Sequence, residues 1–350
     1  MEVKKNISIK DVAKLAGVSP STVSRVVNNS DHPVNSKTRK DVKKAINKLN
    51  YQPNRMAQGL IKNRSKMIGV IVHDISDEYF AELLKGIEEI TFDYDYITNI
   101  FNTNRDIEKE LKAINILDAY QAEAIVLTGG YLRDDYYKQT MGKHIKQLKN
   151  RNCHIVSVSS HPFEIKNIEL ANKLAARNIT GYLIDKGHRS FAYVNGPEIL
   201  ETTQERLCGF KTTLKKNDIE IQDDLIIPGD FSFEGGRRAA SELLKYLEDI
   251  TAVVVVNDQA ALGLMWELRQ KGIKIPDTIS VVGIGGIPAS KYSYPPLTTI
   301  VLPLYSLGKE IGKYIVSKLD SKKETIDIII EDREYLQMNL VERQSVKELI

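Results

Sequence analysis

An α/β protein with a small all-α helix-turn-helix head, a hinge and two doubly wound parallel-sheet subdomains is the fold this sequence predicts. Three observations predict it. Basic charge is concentrated at one end: residues 1–66 hold fifteen Lys/Arg and four Asp/Glu, of 49 and 46 in all, so a basic head sits on an acidic body although the net charge is only +3. The same head has apolar residues at helical spacing. From Lys66 onward, short apolar runs alternate with amphipathic helical stripes, the pattern of parallel sheets covered on both faces.

In the head, Ile9, Val12, Ala13 and Ala16 fall on one helical face, which Gly17 ends. Ser19 is a natural N-cap and Pro20 suits a first helical position, so a second helix runs to about Asn28. Val23, Val26 and Val27 would face inward, leaving Ser21, Thr22, Arg25 and Asn28 outward as short or fork-shaped hydrogen-bonding groups. A third helix starts after Asn35 and buries Val42, Ala45, Ile46 and Leu49, with Asn50 as a left-handed stop. Thr38, Arg39 and several lysines lie along it; each lysine alone reads as a solvated charge. The segment from Pro53 to Leu60 is too short to be helical alone in water and is expected to fold only on a partner.

The string SIKDVAKLAGVSPSTVSRVVNNSDHPVNSKTRKDVKKAINKLNYQPNRMAQGL resembles the head of the lactose/galactose repressor family. That resemblance implies a second helix in the DNA major groove and a hinge helix in the minor groove. It implies DNA contacts from Ser19, Ser21, Thr22, Arg25, Asn28, Thr38 and Arg39, and from Asn54, Arg55, Ala57, Gln58 and Leu60 of the hinge. Leu60 takes the place of the family's wedge, an apolar side chain that unstacks a base step and bends the duplex.

In the body, strands are expected at Met67–Val72, Tyr96–Phe101, Glu123–Leu127, His154–Val158, Phe191–Val194, Leu225–Ile227, Ala252–Val256 and Ile279–Val282. The strings DISDEYFAELLKGIEE, LIDKGHRSFAYVNGP, VVVNDQAALG and PPLTTI resemble the same family, whose body is like a periplasmic sugar-binding protein. The implied organisation is a head over 1–52, a hinge over 53–65 and an effector-binding and dimerisation core over 66–350. Within the core, a first subdomain spans 66–161 and 295–327, and a second spans 162–294 and 328–350.

Ligands of open parallel sheets bind beyond the carboxyl ends of strands. By family position, Asp74, Tyr79, Phe80, Ser159, Arg206, Phe231 and Asn257 should line an effector cleft, with Arg206 as a fork donor and the aromatics as ring platforms. Asp258 reads as a helix cap. The sequence departs from the family pattern where acids are common: Gly285 and Ala171 replace two, and Ser159 a third. A cleft with fewer carboxylates points away from a neutral hexose, toward a phosphorylated sugar, another anion or no small ligand. Tyr305 matches a surface on which some members take a phosphocarrier protein as corepressor, but Ser306 replaces the acid that often follows.

Other classes fit poorly. No GxxxxGK[ST], GxSxG or HExxH string occurs, and the six histidines are scattered, so an enzyme, a metal site and a cofactor are not expected. A transport binding protein would need a signal peptide and no head. Two cysteines without metal spacing fit a reducing cytoplasm. The sequence reads as a cytoplasmic DNA-binding regulator, most simply a repressor, acting as a homodimer on a near-palindromic operator.

Overall fold

The computed structural model describes residues 7–28, 32–52, 64–168, 170–320 and 338–349. The chain divides into two compact units, Met1–Ser65 and Lys66–Ile350. The hinge residues Asn54, Arg55, Ala57, Gln58 and Leu60 lie outside the described residues.

The head consists of α1 (Ile9–Ala16), α2 (Pro20–Val27) and α3 (Ser36–Leu49). Its ends follow local chemistry. Ser8 and Asp11 form a reciprocal capping box at α1, and Gly17 at φ 66 closes it in the left-handed region that glycine enters without strain. Asn35 Oδ1 accepts from Lys37 N at 2.9 Å at the start of α3, and Asn50 at φ 48 ends it. Val12, Val23 and Val42 are wholly buried together with Ala13, Val26 and Ala45. Burying each valine contributes about 1.5–3 kcal/mol, enough to hold helices too short to persist alone.

The body begins with β1 (Met67–Val72), α4 (Glu78–Phe92), β2 (Ile97–Asn102), α5 (Ile107–Ala119), β3 (Ala124–Leu127), α6 (Asp135–Asn150), β4 (His154–Ser157) and β5 (Lys166–Asn167). These strands form a wholly parallel sheet in the order β2-β1-β3-β4-β5. The chain continues through α7 (Asn172–Asp185), β6 (Phe191–Val194), α8 (Glu201–Lys216), β7 (Ile226–Ile227), α9 (Phe233–Leu243), β8 (Ala252–Val255), α10 (Asp258–Gln270), β9 (Ser280–Gly285), α11 (Pro288–Tyr292), β10 (Thr298–Val301), α12 (Leu304–Leu319) and β11 (Asn339–Val341). The second sheet is ordered β11-β10-β9-β8-β6-β7, and only β11 runs antiparallel. Among the described residues no helix is long and apolar enough to cross a membrane.

Two expected boundaries shift. The first sheet does not stop at 161, because Lys166 and Asn167 pair with Val156 and Ser157 as its last strand. The return to the first subdomain does not begin at 295: Thr298–Val301 is still in the second sheet, in parallel register with Val282–Gly285. The return is made by α12, which packs on α4 through glycines. A Cβ at Gly308 would lie 2.2 Å from the Leu83 carbonyl oxygen, and one at Gly86 would lie 2.2 Å from that of Tyr305. Only hydrogen at both positions lets the helices approach this closely.

Candidate functional site

Two surfaces carry the candidate chemistry, one in each unit. In the head it is the outer side of α2. Ser19 Oγ accepts from Thr22 N at 3.2 Å and capping fixes the first turn. The same oxygen lies 2.8 Å from Ser21 Oγ and 2.9 Å from Thr22 Oγ1, so three hydroxyls share one cluster at the helix start. Arg25 follows one turn on, exposed, while Val23 and Val26 face the core. Ser19, Ser21, Thr22 and Arg25 therefore form a short polar surface, with a guanidinium able to make paired bonds to guanine. Asn28 falls one residue past the end of α2, and its Nδ2 donates to Ser24 Oγ at 3.1 Å, tying it back to the helix. Thr38 and Arg39 occupy the first turn of α3 and are half-buried.

In the body, a cavity of about 60 Å³ lies between the two sheets, at the carboxyl ends of their strands. Tyr79, Phe80, Arg206, Phe231 and Asn257 all line it, as does Gly285. Arg206 is buried; its Nε donates to Asn172 Oδ1 at 3.0 Å and its Nη1 to the Val256 carbonyl at 2.6 Å. Burial lowers its pKa, opposed by the Tyr79 hydroxyl and other neighbouring groups. Burial also pushes the Tyr79 phenol up to about 12, so it stays a neutral donor.

Other expectations need correction. Ser159 does not reach the cavity: its hydroxyl donates to the Gly129 carbonyl at 2.9 Å and lies beside Ser157, where β4 ends. Asp74 stands on the outer rim beside Ser232 and Glu234, with Oδ1 occupied by the amide and hydroxyl of Ser76 at 3.0 and 2.6 Å. Asn257 lines the cavity, but its polar atoms are engaged. Oδ1 caps α10 through Ala260 N at 3.0 Å, and Nδ2 donates to the Phe231 carbonyl at 2.9 Å. The cap expected of Asp258 is thus supplied by Asn257. The Asp258 carboxylate instead accepts from Thr299 Oγ1 at 2.6 Å, Gly286 N at 2.6 Å and Ile287 N at 3.1 Å, joining α10 to the end of β9. Burial raises its pKa to about 6 against those hydrogen bonds. A Cβ at Gly285 would lie 3.4 Å from Asp258 Cγ, so an acid there would face a second carboxylate. Ala171 is exposed at the start of α7 and does not line the cavity.

Sequence reasoning missed His73, Asp77, Arg105, Thr202 and Gln259 in the lining. Asp77 caps α4 by accepting from Tyr79 N at 2.9 Å, and burial raises its pKa. Arg105 has its pKa lowered by burial, against the pull of Asp77, Asp74 and Asp230. His73 immediately follows β1 and Arg105 lies three residues beyond β2, so the strand-end rule applied to every strand would have found both.

Fold and site together define a helix-turn-helix protein with a periplasmic-binding-protein-like sensor. Residues 65–339 match the family described as periplasmic binding proteins and sugar binding domain of LacI family, and residues 8–54 match bacterial regulatory proteins, lacI family. The chain belongs to the LacI family. Its relatives include catabolite control protein A of Priestia megaterium, 31% identical over 325 residues, covering 92% of this chain and 95% of that one. The protein of the same name from Staphylococcus xylosus is 33% identical over 321 residues, covering 91% and 94%. Among solved structures, the Lac repressor dimer bound to operator and the anti-inducer ONPF has a TM-score of 0.82 at 27% identity, covering 98% of this chain and all of that one. Transcription regulator CcpA of Lactococcus lactis gives 0.67 at 28% identity, covering 80% and 99%. This chain is a DNA-binding transcription repressor regulating carbohydrate metabolism, similar to catabolite control protein A.

Proposed function

We propose that two copies of the chain pair through their bodies, place one α2 in each half of a near-palindromic operator and act there as a regulator and not as an enzyme. The observation that carries this is the polar side of α2, where Ser21, Thr22 and Arg25 stand opposite buried Val23 and Val26. Arg25 reads a base edge, the hydroxyls and Ser19 contact phosphate or bases, and Thr38 and Arg39 help set the register. Asn54, Arg55, Ala57, Gln58 and Leu60 act as the hinge that enters the minor groove. Pairing is supported by an exposed aromatic face on the body: Trp266, Tyr292 and Tyr294 are 44%, 78% and 74% exposed around one groove.

The body's small ligand carries an anionic group. Two guanidinium groups, Arg105 and Arg206, border the cavity, and Gly285 stands where an acid is common in the family. Asp77 offsets part of that charge, though burial raises its pKa. A second reading is a protein corepressor carrying a phosphoryl group. It draws on half-buried Tyr305, whose hydroxyl donates to Glu89 while Lys85 and Lys309 lie 5.5 and 5.4 Å from its ring centre.

Selection of duplexes from a random pool by the full chain, repeated across salt concentrations, tests the main reading. Recovery of a palindrome whose affinity falls steeply with salt is expected. Failure to enrich any sequence, with or without a phosphocarrier protein, would contradict it.

A further inference from the structure

Two non-glycine residues in left-handed backbone conformations face each other across the cleft. Arg105 has φ 61 and follows β2 of the first sheet; Phe231 has φ 69 and precedes α9 of the second. L side chains rarely adopt this region, and such residues gather where function fixes a geometry. The Arg105 guanidinium lies 5.4 Å from the Phe231 ring centre, a cation–π distance. Phe231 is backed closely: a Cβ at Gly196 would lie 2.5 Å from its ring. Arg105 Nε is buried without a hydrogen-bond partner. Asp74 and Asp77 from its own subdomain and Asp230 from the other all act on its charge.

We propose that Arg105 is the specificity determinant of the cleft because it takes a ligand's place. It lies on the aromatic face where a sugar ring would stack, holds the two subdomains closed with no added effector and bars a neutral ring sugar from that face. Aromatic side chains receive the C–H face of a sugar as they receive a guanidinium, so the two occupants compete for one surface. The two cavities that Arg105 and Phe231 border measure about 60 and about 200 Å³, below the roughly 300–1,000 Å³ of a small-molecule pocket. An anion fits this arrangement differently, since it can draw Arg105 away from Phe231.

Other contacts also cross the cleft. Arg133 N donates to the Ile199 carbonyl at 2.7 Å, Glu201 N to the Tyr131 carbonyl at 3.0 Å, and Ala289 N to Glu78 Oε2 at 3.3 Å. Loss of Arg105 therefore adds a second, open population and does not open every molecule.

The inference treats the cavity as the ligand site but does not depend on operator binding, so it is tested without DNA. The full chain carries one spin label on Cys208 of α8, which is exposed while Cys153 is buried, and another on Lys146→Cys of α6. Labelled protein is diluted with unlabelled chain, and pulsed electron resonance then reads the distance between the two subdomains. Wild type is expected to give one narrow distance, unchanged by D-glucose or D-ribose. Arg105→Ala and Phe231→Leu should each add a population several ångströms longer, and Arg105→Lys should fall between, because it keeps the charge and loses the plane. A wild-type distribution in Arg105→Ala or in Phe231→Leu would overturn the proposal. So would a neutral sugar that shifts the wild-type distance.

Discussion

The polar side of α2 and the wall of the cleft are assembled over very different chain distances. Ser19, Ser21 and Thr22 make their cluster within four positions, and the cap that fixes them is part of it. The cleft brings His73, Asp77, Arg105, Arg206, Phe231 and Asn257 together from separate segments of two sheets. In the head, a residue's local role and its proposed role in binding share one geometry. In the body they compete, and tertiary packing decides which role a side chain keeps. Asn257 is spent on a cap and a carbonyl, whereas Arg105 Nε has no hydrogen-bond partner.

Variants can break that contrast, and the largest effect belongs to long-range packing. Gly308→Val places carbon against the Leu83 carbonyl, 2.2 Å from an ideal Cβ. It should cost the body about 3 kcal/mol, read from its urea midpoint.

A somewhat smaller effect concerns acid. His161 is buried between the Tyr131 and Phe163 rings, and burial lowers its pKa to about 4, with Glu110 opposing and His73 adding to the shift. Its neutral form is favoured on folding, so its contribution is present above pH 6.5 and is lost as pH falls toward 4. Asp258 has the opposite sign: a folded pKa near 6, above the ordinary 3.8, favours the protonated form and adds stability as pH falls from 6 to 4. His161→Phe removes only the first of these. Relative to wild type it should gain about 2 kcal/mol between pH 7 and 4.5, measured by denaturation at both.

The smallest effect is local. Ser19→Ala removes the α2 cap and should destabilise the head by about 1 kcal/mol, seen as a lower melting point of the head, while the body's urea midpoint stays unchanged.

Legibility in the sequence followed the same division. The head helices were readable nearly to the residue because Gly17, Ser19, Asn35 and Asn50 mark their boundaries. Most of the body's strands were readable as apolar runs, but Lys166–Asn167 and Thr298–Val301 were not expected as strands, and only pairing beside Val282–Gly285 assigns Thr298–Val301 to the second sheet. Ser159 and Arg105 show the limit for the cleft. Ser159 is the right type at a strand end but is turned toward Gly129, whereas Arg105, in a polar loop beyond an edge strand, is carried inward by a backbone that sequence does not announce.

The most direct test is a fluorescence-anisotropy titration of the full chain and Arg25→Ala against the selected palindrome and a random duplex at one fixed salt concentration. Loss of a base-reading guanidinium predicts about 30-fold weaker binding to the palindrome, roughly 2 kcal/mol, and a much smaller loss on random DNA. Equal losses on both duplexes would mean that Arg25 contacts only phosphate, and would contradict sequence reading by α2.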